Sequence, residues 1–81
     1  SDKCRFSVFV GKERAAGIAI GVNTRQMLVK FIPKWIKIKP GDKVFTSGLD
    51  SIFFADVPVG VVEKVDVESS YKVAAIRPYA D

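Results

Sequence analysis

The sequence predicts an all-β protein: a small antiparallel barrel of six strands, within a range of five to seven, with at most one short 3-10 or helical turn. Two observations favour this class. There are 12 Val and 7 Ile against 2 Leu, and side chains branched at Cβ fit a pleated sheet better than a helix. Turn residues also recur every 6 to 12 positions, a spacing typical of short strands joined in a small sheet.

Alternation of apolar side chains predicts three strands in the first half of the chain, at 4–10, 17–22 and 26–32. A polar loop bounded by glycines separates the first two and is the place where a helical turn would fit. A hairpin turn at 23–25 separates the next two, because Asn tolerates a left-handed φ. The third strand alternates side chains between two faces: Met27, Val29 and Phe31 against Leu28, Lys30 and Ile32.

The second half begins with a short, lysine-rich edge strand predicted at 35–39, followed by a type II turn at 39–42, where Gly41 supplies a positive φ. A strand at 43–47 precedes an apolar loop. Pro58 opens the longest strand, where a missing N–H costs least, and Gly60 inside it predicts a bulge or sharp bend. One face of that strand is predicted to carry four valines: Val59, Val61, Val65 and Val67. A last strand is expected at 71–77.

Residue types exclude several kinds of chemistry. The chain has one Cys and no His, so an internal disulfide, a thiolate metal site and a histidine base are excluded. Ser47 and Ser51 have no histidine to activate them. No catalytic residue, metal site or cofactor is therefore predicted, and we expect the domain not to be an enzyme. No apolar run is long enough to span a bilayer, and residues 1–81 are interpreted as one barrel domain excised from a longer protein.

Charge is unevenly distributed along the chain, although the formal net charge is only +4. Residues 25–43 hold six basic side chains and one acid, and residues 56–68 hold four acids and one lysine. Such runs are typical of solvated strand faces, or of a dipolar surface that orients partners. A nucleic-acid-binding barrel of the OB or SH3-like kind is the alternative function, because the pI is about 9.4 and aromatic residues lie among the lysines.

About twenty residues between positions 36 and 62 resemble the C-terminal β domain of the rod shape-determining MreC family. The resemblance runs through Ile36–Pro40, Val44, Ile52–Phe53, Val57, Val59 and Val62, and through residues interpreted as structural: Gly41, Asp42, Thr46, Ser47, Gly48, Leu49, Pro58 and Gly60. Two positions depart from the family pattern. Phe54 stands where the family usually has proline, and Asp56 stands where it usually has glycine, so Asp56 is expected to need a left-handed or altered turn.

The resemblance implies a non-enzymatic scaffold of the bacterial cell-elongation machinery that helps to organise peptidoglycan synthesis. It implies binding to a class B penicillin-binding transpeptidase, to MreD and RodZ, and self-association of the intact protein, with no nucleic acid as partner. It also implies a periplasmic, extracytoplasmic location in a protein with a single membrane anchor, although this stretch carries no membrane segment itself.

Two groups of side chains are candidates for partner binding. Ile52, Phe53 and Phe54 lie in the apolar loop and would act either as plugs of the barrel core or as contact anchors. Trp35, with Lys37 and Lys39, would form an interface hot spot on an edge strand, to which a partner strand could also add. Trp35 would otherwise lie over the rim of its own barrel.

Overall fold

A computed structural model describes residues 4–23 and 25–79. The described residues contain no helix and form six strands: β1 Arg5–Val10, β2 Ala15–Asn23, β3 Gln26–Ile32, β4 Lys43–Thr46, β5 Pro58–Val67 and β6 Lys72–Pro78. All pairings are antiparallel, and the strands close into a barrel in the order β1-β2-β3-β6-β5-β4. The predicted fold class is therefore confirmed. Position 24 of the predicted hairpin turn lies outside the described residues.

The core is built from the inward side chains of all six strands. The largest fully buried ones are aliphatic: Val8, Val10, Val29, Ile32, Val44, Val62 and Ile76. Alanines at positions 15, 19 and 74 are also buried, and their small volume suits the narrow interior of a six-stranded barrel. No part of the chain that the structure describes forms a helix with the length and apolarity needed to cross a membrane.

A bulge in β3 reverses the predicted alternation at its end. Val29 pairs with Ala74, and Ile32 pairs with Lys72, so two residues of β3 oppose one residue of β6. Phe31 takes a φ of +65° within this bulge and turns outward, while Ile32 is fully buried. The prediction that Phe31 shares a face with Val29 is therefore wrong, because the extra residue shifts the side-chain period by one.

Two further bulges shape β5. Val59 is the extra residue opposite β4, and Glu63 is the extra residue opposite β6. Each bulge reverses the alternation, so the single valine face is wrong: Val62 is buried and Val67 is exposed. The bulge predicted near Gly60 is confirmed. Gly60 is also needed for close packing, because a Cβ there would lie 2.9 Å from the Cα of Pro78.

Residues 33–42, named here the crossover segment, connect β3 to β4 across one end of the barrel. The edge strand predicted at 35–39 is wrong, since these residues form turns and irregular structure. The alternation is nevertheless real: Ile36 and Ile38 pack against the core and cover its open end. The turn at 39–42 is confirmed, because Asp42 donates its N–H to the Lys39 carbonyl at 3.1 Å and Gly41 has a φ of +95°.

Closure of the barrel also limits strand addition. Within the described residues every strand has two hydrogen-bonded neighbours, although residues 64–67 of β5 pair with β6 alone. The segment predicted to accept a partner strand, 35–39, is itself irregular, so strand addition is not available there.

Candidate partner-binding site

The apolar loop, residues 47–57 between β4 and β5, exposes the largest group of apolar side chains. Phe54 is 90% exposed and Leu49 is 72% exposed, and Ile52, Phe53 and Val57 are exposed as well. None of these five side chains belongs to the buried core. The interpretation of Ile52, Phe53 and Phe54 as core plugs is therefore wrong, and Leu49, assigned to the structural motif, presents its side chain to solvent.

Phe53 connects this exposed surface to the barrel. Its ring packs edge to face on the ring of Phe6, with 5.0 Å between the centroids. Phe6 is itself a buried residue of the core. Aromatic pairs of this geometry are favourable beyond the area they bury, so Phe53 fixes the loop against the barrel while part of its ring stays in solvent.

Thr46, the last residue of β4, holds the far side of the loop. Its hydroxyl accepts a hydrogen bond from the Val57 N–H at 2.8 Å and donates one to the Phe54 carbonyl. Its main-chain carbonyl also accepts the Asp56 N–H at 2.7 Å. Thr46 is buried, so one side chain inside the barrel wall determines the backbone path that carries Phe54.

Ser47 and Asp50 hold the near side of the loop. The Ser47 hydroxyl accepts the Leu49 N–H at 3.1 Å. The Asp50 carboxylate accepts the Ser7 N–H of β1 at 2.6 Å and the Ile52 N–H at 3.1 Å. These backbone donors, Ser7 first, hold the pKa of Asp50 below its ordinary value, because they stabilise the charged carboxylate.

Three positive-φ residues complete the path of the loop: Gly48, Ser51 with a φ of +61°, and Asp56. Gly48 has a φ of +76°, and a Cβ there would lie 3.0 Å from the Cβ of Ala55. Asp56 has a φ of +63°, as expected for a residue in place of the family's glycine, since Asp is among the side chains that tolerate this region. The Asp56 carboxylate also accepts a hydrogen bond from the Arg14 guanidinium at 2.9 Å. The same guanidinium lies over the ring of Phe9.

Trp35, Lys37 and Lys39 lie at the other end of the barrel. The crossover segment ends at Lys43, the first residue of β4, and the apolar loop begins after Thr46, the last residue of β4. The length of β4 therefore separates Trp35, Lys37 and Lys39 from the apolar loop. Trp35 is 81% exposed and does not lie over the barrel rim. The predicted site residues therefore form two separate surfaces, one apolar and one basic.

Sequence reasoning missed one contributor to the apolar surface. Phe31, turned outward by its bulge, lines a shallow groove over β1 and β2 together with Leu49. Its ring also packs on Tyr71, with 4.9 Å between centroids. No local signal marks this position, because the bulge arises from the pairing of β3 with β6 rather than from a glycine or proline.

The polar groups near the loop are engaged in holding the backbone. Ser47 and Asp50 bind main-chain N–H groups, and within the described residues no group of three His, Cys, Asp or Glu side chains could hold a metal ion. What remains accessible is an apolar surface on a rigid frame. The fold and this surface together define a small closed β-barrel domain with an exposed apolar loop.

Comparison with known proteins identifies the family. Residues 1–81 match the barrel core of the rod shape-determining protein MreC, and the chain belongs to that family. The cell shape-determining protein MreC of Listeria monocytogenes is 40% identical over 75 residues, which span 88% of this chain and 25% of that protein.

Solved structures of relatives share the fold. A complex between penicillin-binding protein PBP2 and MreC from Helicobacter pylori matches with a TM-score of 0.84 and 38% identity, over 96% of this chain and 49% of that chain. MreC from Pseudomonas aeruginosa matches with a TM-score of 0.87 and 29% identity, over 95% of this chain and 52% of that chain. This chain thus spans a quarter of the curated relative and about half of these solved chains.

Proposed function

We propose that this domain is a non-catalytic scaffold of the bacterial cell-elongation machinery, which binds a class B penicillin-binding transpeptidase through the apolar loop. The observation that carries the proposal is the solved complex of PBP2 with a relative that is 38% identical to this chain. A domain at this identity, with an exposed apolar surface on the same fold, is suited to the same class of partner.

The apolar loop is the better of the two candidate surfaces for this contact. Cores of protein interfaces are rich in aromatic side chains and poor in lysine, and the loop offers Phe54 and Phe53 with Leu49 and Ile52 beside them. The surface around Trp35 holds lysines instead. The loop backbone is already held by Thr46 and Asp50, so binding costs little ordering of the chain.

A scaffold of this kind acts by differential affinity. Rigid contacts stabilise whichever conformation of the transpeptidase fits them best, and that population rises on binding. We place the domain on the extracytoplasmic side of the membrane, where peptidoglycan is made, in a protein with a single membrane anchor. MreD, RodZ and further copies of the chain are proposed as additional partners on the family relationship alone.

Binding of the chain to the purified extracytoplasmic region of the class B transpeptidase from the same organism tests the proposal. Affinity is measured by biolayer interferometry for the wild type and for Phe54→Ala, Trp35→Ala and Val67→Ala. Val67 is an exposed apolar residue at the end of β5, away from the loop, and serves as the matched control. Phe54→Ala is expected to weaken binding at least about tenfold, the effect typical of an aromatic hot spot.

Weaker binding by Phe54→Ala, together with unchanged binding by Val67→Ala and Trp35→Ala, would locate the contact at the apolar loop. Wild-type affinity for both Phe54→Ala and Trp35→Ala would show that the contact surface is elsewhere. A wild-type chain that does not bind the transpeptidase would contradict the scaffold function itself.

A further inference from the structure

Trp35 is held in its exposed position by a rigid frame. The Ile36 N–H binds the Pro33 carbonyl at 3.2 Å, which forms the turn that carries Trp35. The Lys72 ammonium donates to the Ile36 carbonyl at 2.6 Å, and Ile36 packs against the core on the inner side. An indole that is 81% exposed is therefore presented outward by a fixed backbone rather than by a loose loop.

Seven lysines surround this end of the barrel, against five acidic residues. The lysines belong to the crossover segment and to the turns and strand ends next to it: Lys12, Lys34, Lys37, Lys39, Lys43, Lys64 and Lys72. The acids are Glu13, Asp42, Glu63, Asp66 and Glu68. Two of them are engaged by lysine: Asp42 by the Lys39 ammonium at 3.2 Å and Asp66 by the Lys64 ammonium at 3.8 Å. Among the described residues no carboxylate lies within ion-pair distance of Lys37. We name these lysines, together with Trp35, the basic cap.

The basic cap is one continuous surface. The Gly11 N–H binds the Lys43 carbonyl at 2.9 Å, which joins the β1–β2 turn to the start of β4, where the crossover segment ends. On the other side, the Lys34 ammonium binds the Ser69 carbonyl at 3.1 Å, which joins the β5–β6 turn to the crossover segment. Three connections that are distant in the sequence therefore meet at one end of the barrel.

We propose that the basic cap docks on the surface of an anionic lipid bilayer, with the Trp35 indole at the level of the headgroups and the lysines on lipid phosphates. Indole rings are favoured at the membrane–water interface, and lysine stems extend along apolar surface while their ammonium groups stay in water. Clustered basic residues are attracted to anionic lipid, an attraction that salt screens. The proposal does not depend on the transpeptidase contact, which lies at the opposite end.

The chemistry of the cap favours a bilayer over other anionic partners. Lysine is a flexible point charge, whereas specific recognition of phosphate in nucleic acids usually employs the bidentate guanidinium of arginine. The one arginine nearby, Arg14, is engaged with Asp56 at the loop side. A protein partner is disfavoured because lysine is depleted in interface cores.

Fluorescence of the chain provides a direct test, because Trp35 is its only tryptophan. The chain is titrated with vesicles of phosphatidylglycerol and phosphatidylcholine in equal parts, and with vesicles of phosphatidylcholine alone. The anionic vesicles are expected to shift Trp35 emission to the blue and to shield it from acrylamide, and added salt is expected to reverse both effects. Phosphatidylcholine alone is expected to do neither.

Variants locate the contact by vesicle sedimentation. Lys37→Ala is expected to lower partitioning about fivefold, the effect of one lysine charge at an anionic surface. Trp35→Ala is expected to lower it by a similar factor. Phe54→Ala is the matched control, because Phe54 is a similarly exposed aromatic side chain in the apolar loop, which follows the last residue of β4, and it is expected to partition like the wild type. Equal thermal midpoints would show that all three variants fold.

Three outcomes would overturn the proposal. One is vesicle binding that leaves Trp35 open to acrylamide and is insensitive to Trp35→Ala, which would indicate adsorption by charge alone. Another is a shift of Trp35 emission by a single-stranded oligonucleotide at lower concentration than by vesicles in the same buffer, which would make nucleic acid the ligand. The third is an absence of binding to anionic vesicles at low salt.

Discussion

Replacing Thr46 by valine tests how the apolar loop is held in position. Thr46 is 3% exposed, and valine keeps its branched shape while the hydroxyl is removed. That hydroxyl accepts the Val57 N–H at 2.8 Å and donates to the Phe54 carbonyl. The Thr46 main chain still pairs with the backbone of Val57 at 2.9 Å, so the junction of β4 with β5 is expected to survive.

The expected cost follows from the two hydrogen bonds. Each contributes about 1 kcal/mol net, so losing both costs about 2 kcal/mol. At about 1.4 kcal/mol for each factor of ten, the equilibrium between open and closed loop shifts toward the open form by about 30-fold. If the whole cost also appears in global stability, the thermal midpoint falls by about 8 to 16 °C.

Amide hydrogen exchange measured by NMR checks this expectation. The Val57 amide should exchange about 30-fold faster in Thr46→Val, and affinity for the transpeptidase should fall with it, because Phe54 is no longer held. Thr46→Ser is the control, since it keeps the hydroxyl and loses only a methyl group, about 0.8 kcal/mol. If the Val57 amide exchanges at the same rate in the two variants, and both bind the transpeptidase with the same affinity, the Thr46 hydroxyl does not hold the loop.

Substitutions at three other sites, Gly60, Asp50 and Asp56, have expected outcomes that urea unfolding or thermal melts can check. Gly60→Ala would place a Cβ against the carbonyl oxygen of Arg77 and is expected to cost roughly 3 kcal/mol or more. Gly21→Ala, whose nearest neighbouring atom lies 4.0 Å away, should stay within about 0.5 kcal/mol of the wild type, and equal stability of the two variants would contradict the packing argument. The fold lowers the pKa of Asp50. The Asp50 carboxylate therefore stabilises the fold at pH values above its pKa in the unfolded chain, and this stabilisation is lost as the pH falls below about 4, through its pKa in the folded chain. Asp50→Asn should therefore flatten the dependence of the thermal midpoint on pH in that range, and an unchanged profile would count against this role. Asp56→Ala should lower the free energy of unfolding by roughly 1 kcal/mol, because alanine is strained at a positive φ. Asp56→Gly should be close to neutral, because the ion pair with Arg14 that both variants lose is exposed and contributes little. Equal losses of stability in the two variants would assign the effect to the ion pair instead.

Local chemistry in the sequence was sufficient for the strands and several turns. Branched residues and their alternation locate all six strands to within a few residues, because the period of two is a property of the strand itself. Pro58 marks the start of β5, and Pro40 with Gly41 marks the turn before β4. Proline restricts φ and glycine widens the allowed range of φ wherever they occur in a chain. Asp56 stands where the family pattern has glycine, and this correspondence predicts a left-handed backbone conformation at Asp56.

Local patterns also placed the exposed apolar residues in one loop, but they did not decide which way the side chains face. Ile52, Phe53 and Phe54 have the composition of a core plug. They stay outside because the interior is already filled by strand side chains and closed at the other end by Ile36 and Ile38. Whether a side chain is core or surface depends on the volume that other elements leave for it.

Residue types and spacing by themselves determined the class of fold, the approximate positions of the six strands, the turn at 39–42 and the absence of a histidine base. Only the tertiary structure decided the bulges at Phe31 and Glu63, which turn Phe31 outward and break the valine face of β5, the closure of the strands into a barrel, and the separation of the apolar loop from the basic cap. A bulge and a barrel closure are set by hydrogen bonds between strands far apart in the sequence, so no local period can report them.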